Sequence, residues 1–259
     1  MVHAEDFVST AISRGYTFFT GVPCSFLTPL INYVIQCKGL DYVSATSEGE
    51  AVGIAAGAHL AGRKAVVMCQ NSGLGNMVNP LASLNFTFRI PALLIITLRG
   101  EIGIKDEPQH ELMGQITGNL LDLLRISWMF FPKELKMVRV ALDEAEEKIA
   151  ATGLPFAFIM KKGTVAKTDL TSEFSRASTT QQVSPQGQFS CSPDKRMSRI
   201  ETVQIIHGLI SDEDAVVTTT GKIGRELYAL KDSNNHLYVV GSMGCASGIG
   251  FGIQYVQPK

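Results

Sequence analysis

The sequence predicts a doubly wound α/β fold, a parallel sheet with helices on both faces, on three observations. Short apolar runs alternate with longer amphipathic or small-residue segments through the first 160 residues, the order of repeated βα units. The run at 91–98, from Pro91 through Leu93, Leu94, Ile95 and Ile96 to Leu98, is apolar at nearly every position, as in a strand buried on both sides. There are 24 glycines and only 18% charged residues, a balance suited to buried strands joined by tight turns.

Strands are expected at 17–20, 42–45, 65–69, 92–98, 128–131 and 156–160, each a short run rich in β-branched, aromatic or other apolar residues. Helices are expected between them at 26–36, 50–61, 76–84, 112–124 and 133–149. From Thr171 to Pro193 nine of 23 residues are Ser or Thr, four are Gln, and Leu and Ile are absent, so this stretch has too little apolar surface for a core. The βαβ pattern then restarts with helices at 200–210, 225–230 and 246–255 and strands at 215–219 and 237–240. The organisation expected is an α/β domain over 1–162, a Ser/Thr/Gln-rich linker over 163–198 and the opening part of a second, incomplete α/β domain over 199–259.

Composition excludes several classes. Lys plus Arg number 23 and Asp plus Glu 24, a net charge of −1, which leaves no basic surplus for nucleic acid. Five cysteines without a CxxC or CxxH spacing form neither a disulfide framework nor a zinc motif. The N-terminus carries Glu5 and Asp6 where a leader would carry Lys or Arg, and no run of about eighteen apolar residues occurs. A cytoplasmic, non-membrane protein is expected.

Three turns that follow strands are candidate ligand sites. Glu48, in Thr46-Ser47-Glu48-Gly49-Glu50, stands between a strand end and a helix of small residues, where open α/β sheets gather ligands. It reads either as helix-capping chemistry, with Ser47 as cap and Glu48 and Glu50 facing the dipole, or as a half-buried carboxylate sharing a proton with a ring nitrogen. Gln70-Asn71-Ser72-Gly73-Leu74-Gly75-Asn76 opens a helix and offers free N–H groups, but is neither a P-loop nor a complete dinucleotide fingerprint. Gly241-Ser242-Met243-Gly244 lets a ligand press on the backbone.

In this order, with Gly21-Val22-Pro23-Cys24-Ser25, these segments resemble the thiamine diphosphate-dependent 2-keto acid decarboxylases. Arg99-Gly100-Glu101, followed by Lys105-Asp106-Glu107-Pro108-Gln109-His110-Glu111-Leu112-Met113-Gly114, is similar to the phosphonopyruvate decarboxylase branch. The resemblance covers 1–160 and 199–259, and it implies a pyrimidine-type domain followed by a diphosphate-type one. It implies that Glu48 hydrogen-bonds the aminopyrimidine of thiamine diphosphate and promotes the tautomer that activates the thiazolium. Gly241 would offer its carbonyl to the same ring, and Met243 would wedge the cofactor into its bent form. Gly73, Thr220, Gly221 and Ser242 complete the implied cofactor set. Ser25, Asn71, Arg99, Lys105 and His110 are the implied substrate set, with Ser25 and His110 also able to move a proton; against these stand plain readings, a turn-capping Ser25, an exposed loop His110 and solvated Arg99 and Lys105.

Relatives continue past the Gly241 segment into a Gly-Asp-Gly and a later Asn that hold Mg²⁺, so the metal ligands are expected downstream of Lys259 and no residue of this chain is expected to bind metal. The expected activity is decarboxylation of 3-phosphonopyruvate by a truncated form or fragment, in a homo-oligomer whose active site lies between subunits. The rivals are a sulfopyruvate decarboxylase, a non-catalytic remnant pairing with an intact enzyme and, more remotely, a dinucleotide oxidoreductase.

Overall fold

A computed structural model describes residues 1–171 and 196–258; most of the predicted linker, with Cys191, lies outside them. The first body is a six-stranded, all-parallel sheet: β1 (Tyr16–Gly21), β2 (Asp41–Ser44), β3 (Lys64–Gln70), β4 (Leu93–Thr97), β5 (Ser127–Phe130) and β6 (Phe156–Met160), in the order β2-β1-β3-β4-β6-β5. Side chains alternate across a strand, so β4 sends Leu93 and Ile95 to one face and Leu94 and Ile96 to the other. Both sets are buried, which is why 91–98 has no polar phase.

One face is covered by α1 (Ala4–Ile12), α2 (Thr28–Gln36) and α7 (Leu135–Thr152), which bring Phe7, Leu30 and Leu142 into the core. The other is covered by α3 (Glu48–Leu60), α4 (Leu74–Pro80) and α6 (Glu111–Leu123), through Ala51, Met77 and Leu121. A π-helical turn (Leu81–Asn85) and the short α5 (Phe86–Phe88) lead from α4 to β4. No element is expected over residues 1–15, whereas α1 buries Ala4, Phe7, Val8 and Ala11 along one stripe.

Residues 196–258 form α8 (Arg199–Leu209), β7 (Val216–Thr218), α9 (Lys222–Leu230), β8 (His236–Tyr238) and α10 (Ala246–Val256), with β7 and β8 a parallel pair. Two strands bury little by themselves, and this part shares a core with the first sheet. Val239, Cys245 and Ile249 cluster with Ala56, Leu84 and Ile90. Helix α10 lies on α3 at backbone contact: a Cβ on Gly57 would stand 2.1 Å from the Ile249 carbonyl oxygen, and one on Gly252 2.2 Å from that of Ile54. At the far end Tyr255 donates to Asp41 Oδ1 at 3.1 Å, its ring edge-on to Phe18 with centroids 5.6 Å apart.

Candidate functional site

Gly21, Gln70 and Thr97 end β1, β3 and β4 side by side. The chain leaves β1 for β2 on one side and later crosses to β3 on the other, so the crevice between β1 and β3 is the switch point at which open α/β sheets bind ligands. A Cβ on Gly21 would fall 1.9 Å from the Met68 carbonyl oxygen, so a side chain there would force the two strand ends apart. In the crevice the Cys24 thiol donates to Gln70 Oε1 at 3.3 Å, and Gln70 Nε2 donates to Ser72 Oγ at 2.6 Å. Burial, with Glu48 nearby, pushes the Cys69 thiol far above its ordinary value, so it stays a neutral filler.

The two readings of the Glu48 segment are divided between different residues. Ser47 Oγ accepts from the Glu50 N–H at 3.2 Å, and Glu50 Oε2 turns back to the Thr46 N–H at 2.8 Å and the Thr46 hydroxyl at 2.5 Å. Those bonds hold the Glu50 carboxyl below its usual range. Capping is thus done by Ser47 and Glu50, and Glu48 is released from it. The Glu48 carboxylate lies across Gly73, where a Cβ would stand 2.2 Å from Oε1, and its Oε2 accepts from Asn76 Nδ2 at 2.8 Å. Asn76 is missing from the residues the sequence singled out as ligands; only its place in the turn that opens α4 pointed to it.

The opposite wall comes from the end of β8. Gly241 is pressed on Ser83, with room for no side chain, and the Ser242 N–H donates to Ser83 Oγ at 2.7 Å. Ser242 has φ 48° and is buried, so this turn is held by the first body. Met243 is 77% exposed. It lines a cleft of about 440 Å³ together with Ser47, Glu50, Asn76, Pro80 and Cys245. A separate cavity of about 290 Å³ lies at the ends of β7 and β8, lined by Thr219, Thr220, Gly221, Arg225 and Val240. Thr220 donates to the Val240 carbonyl at 2.9 Å, and Gly221 has φ +98°, a backbone that favours glycine.

Within the chain, the glycine faces of α3 and α10 let residues 196–258 dock on the first sheet.

The substrate set is brought together only in part. Ser25 is exposed on the loop after β1, and Lys105 is exposed on the loop after β4. Asn71 is fully buried, and its amide is spent on the Arg99 backbone and on Thr117 Oγ1, so it acts as a strut and not as a free ligand donor. Arg99 is not a loose surface cation: Asp106 takes its Nε and Nη2. His110 is 7% exposed, which corrects the exposed-loop reading, and its Nδ1 has no hydrogen-bond partner among the described residues. Among those residues no group of three or more His, Cys, Asp or Glu is placed to hold a metal ion. No helix is long and apolar enough to cross a membrane, and Cys24, Cys37, Cys69 and Cys245 are free thiols.

Comparison with known proteins adds relatives to this geometry. A family described as thiamine pyrophosphate enzyme, N-terminal TPP binding domain, matches residues 1–121. Phosphonopyruvate decarboxylase of Streptomyces viridochromogenes is 42% identical over 261 residues, covering 100% of this chain and 65% of that protein. The chain therefore spans somewhat under two thirds of that relative's length. Sulfopyruvate decarboxylase subunit alpha of Methanococcus maripaludis is 36% identical over 160 residues, 61% of this chain and 95% of that subunit. Subunit beta of the Methanothermobacter thermautotrophicus sulfopyruvate decarboxylase is 43% identical over 63 residues, 24% of this chain and 34% of that subunit.

Proposed function

The chain belongs to the thiamine pyrophosphate enzyme family, and from that premise we propose that the protein carrying it decarboxylates 3-phosphonopyruvate to phosphonoacetaldehyde and carbon dioxide. The observation that carries the reading is Glu48, freed from capping and held over Gly73 by Asn76 at the rim of the switch-point crevice.

The residues present fit the cofactor. Gly73 leaves space for nothing except the Glu48 carboxylate, Gly241 packs against Ser83 and so places the following turn, and Met243 stands exposed in the cleft. Thiamine diphosphate, when bound, supplies the carbon nucleophile and the electron sink that let a 2-keto acid lose carbon dioxide. In this reading the Glu48 carboxyl would hold a proton for the pyrimidine ring, and Asn76, donating to Oε2, would keep the acid from swinging away. Met243 would support the cofactor with apolar volume and without a competing proton. Thr220, Gly221 and Ser242 line the diphosphate side. Ser25 and His110 would flank the substrate, and His110, buried and with Nδ1 lacking a partner among the described residues, would deliver the proton that replaces the lost carboxylate.

Residues 1–162 would be the pyrimidine half and 199–259 the opening of the diphosphate half. Magnesium is a different matter: the described residues do not by themselves fit a Mg²⁺ site. The free thiols support a reducing, cytoplasmic setting, and the sulfopyruvate relatives, named as subunits, support assembly beyond a single chain.

Phosphonopyruvate, sulfopyruvate and pyruvate offered side by side to the full-length protein test the substrate. The expected result is a kcat/KM highest for phosphonopyruvate. A preference for sulfopyruvate would move the assignment to the two-chain relatives and leave the cofactor reading standing.

A further inference from the structure

Arg99 stands two residues beyond the end of β4 and is fixed at three points. Its N–H donates to Asn71 Oδ1 at 3.2 Å and its carbonyl accepts from Asn71 Nδ2 at 2.8 Å. Its guanidinium donates through Nε to Asp106 Oδ2 at 2.7 Å and through Nη2 to Asp106 Oδ1, and its face lies 4.9 Å from the centroid of the Phe26 ring. Asp106 also accepts from the Gly100 N–H at 2.9 Å and the Glu107 N–H at 2.8 Å. A carboxylate taking four donors closes the loop and leaves the guanidinium one orientation, with Nη1 lacking a partner among the described residues.

Beside this clasp is a small cavity bounded by Phe26, Arg99, Glu101, Lys105, Asp106 and Lys162. Its volume is about 40 Å³. A space of that size admits a compact polar group and not a bulky one. Among the charged groups that line it, Asp106 offsets Arg99, while Glu101 is already paired with Lys161. The lining itself carries three cations and two carboxylates, an excess of one positive charge, and Lys161 behind Glu101 adds a further one. A compact anionic group suits this size and this cationic lining.

We infer that this cavity is the subsite for the anionic tail of the substrate, a tetrahedral dianion of the phosphonate class, received by Arg99, Lys105 and Lys162, with Asp106 as the positioning residue that aims Arg99. Lys162 comes from the segment after β6, far along the chain from the loop after β4. The nature of the ligand rests on the decarboxylase reading, so the test is a binding measurement that needs no turnover.

The probe is 3-phosphonopropionate, which keeps the tail and the carboxylate but has no keto group to react; 3-sulfopropionate and succinate are the comparators. Calorimetry on the full-length protein is expected to rank phosphonate above sulfonate above carboxylate. Lys162→Ala removes an exposed side chain and leaves folding intact; it is expected to weaken 3-phosphonopropionate about tenfold or more and succinate far less. Asp106→Asn, which still accepts from backbone N–H groups, is expected to give the same selective loss. Unchanged phosphonate affinity in Lys162→Ala overturns the subsite, as does equal weakening of all three probes in both variants or a wild-type protein that binds none of them. Turnover of phosphonopyruvate with an indifferent Lys162 leaves the enzyme reading standing without the subsite. Selective phosphonate binding in a protein that decarboxylates no 2-keto acid leaves the subsite without the enzyme reading.

Discussion

At the scale of single residues, Gly73 and Glu48 can be separated experimentally because the glycine has no conformational reason to be glycine. Its φ of −76° and ψ of −14° suit any residue, so the cost of Gly73→Ala falls on the Glu48 carboxylate that occupies the space of the new methyl. That carboxylate is the end of a flexible side chain and would swing out, losing Asn76. The expected outcome is an unchanged fold with exchange of the cofactor C2 proton slowed about tenfold or more, against roughly a hundredfold or more for Glu48→Gln, both followed by NMR on the loaded protein. Wild-type exchange in Gly73→Ala would mean that the carboxylate is not confined by the turn. Asp106 gives a second residue-scale prediction. The Arg99 guanidinium beside it, with two backbone N–H groups, holds its carboxyl far below the usual range of about 3.9. A group depressed in the folded state adds stability above its unfolded value and loses it as pH falls through the folded one. The wild-type protein should therefore lose stability between about pH 4 and lower values more steeply than Asp106→Asn, measured as urea midpoints across that window. Parallel curves would remove Asp106 from the stability of the loop.

At the scale of elements, the α3–α10 crossing depends on glycines that meet backbone. Gly57→Ala gains helix propensity of about 1 kcal/mol, but its methyl would stand 2.1 Å from the Ile249 carbonyl oxygen, which belongs to a helix that cannot yield locally. The clash wins, at about 1–3 kcal/mol by analogy with overpacked cores. The expected result is faster amide exchange throughout α10 with β4 and β6 still protected; unchanged exchange in α10 would show that the helices already stand further apart. How far such elements could be read from sequence depended on whether their signal was local. Strand β4 was legible because both faces are buried, and β6 because Phe156–Met160 is an apolar run between polar and Gly-containing stretches. Helix α1 escaped: its stripe of Ala4, Phe7, Val8 and Ala11 is short and opens among charged residues. Helix α4 begins at Leu74, two residues before the predicted start, because a 3-10 turn at Asn71–Gly73 feeds straight into it. Within the candidate site, the places of Glu48 and Gly241 at strand ends were legible. Neither the Asn76 bond to Glu48 nor the Ser83 bond to Ser242 could be, since each joins segments far apart in the chain. The Arg99–Asp106 clasp is close in sequence, yet a loop without periodicity gives no sign of which carboxylate turns inward.

At the scale of the whole molecule, one chain carries sequence related to both an alpha and a beta subunit of the sulfopyruvate relatives. What joins the first sheet to residues 196–258 is therefore a surface as well as a covalent connection. That surface holds the backbone contacts of α3 and α10, the apolar cluster of Ala56, Leu84 and Ile249, and polar bonds at both ends: Ser242 N–H to Ser83 Oγ at 2.7 Å, Tyr255 to Asp41 at 3.1 Å and Gln257 Nε2 to the Ala61 carbonyl at 3.3 Å. Such a surface should hold when the connection is cut, although cutting forfeits the effective concentration, on the order of millimolar, that a tether supplies. A site-specific protease sequence inserted within residues 172–195 makes the cut in the otherwise intact full-length protein. The two pieces are expected to co-elute in gel filtration at about 10 µM and to separate on dilution well below that, because a surface assembled under a tether has no need of nanomolar affinity. Gly57→Ala should shift separation to higher concentration, since it acts at the crossing, whereas Lys162→Ala should not, since it lies away from it. Complete separation of the wild-type pieces at about 10 µM would mean that the covalent connection, and not the fit of α3 to α10, keeps the two halves of the cleft together.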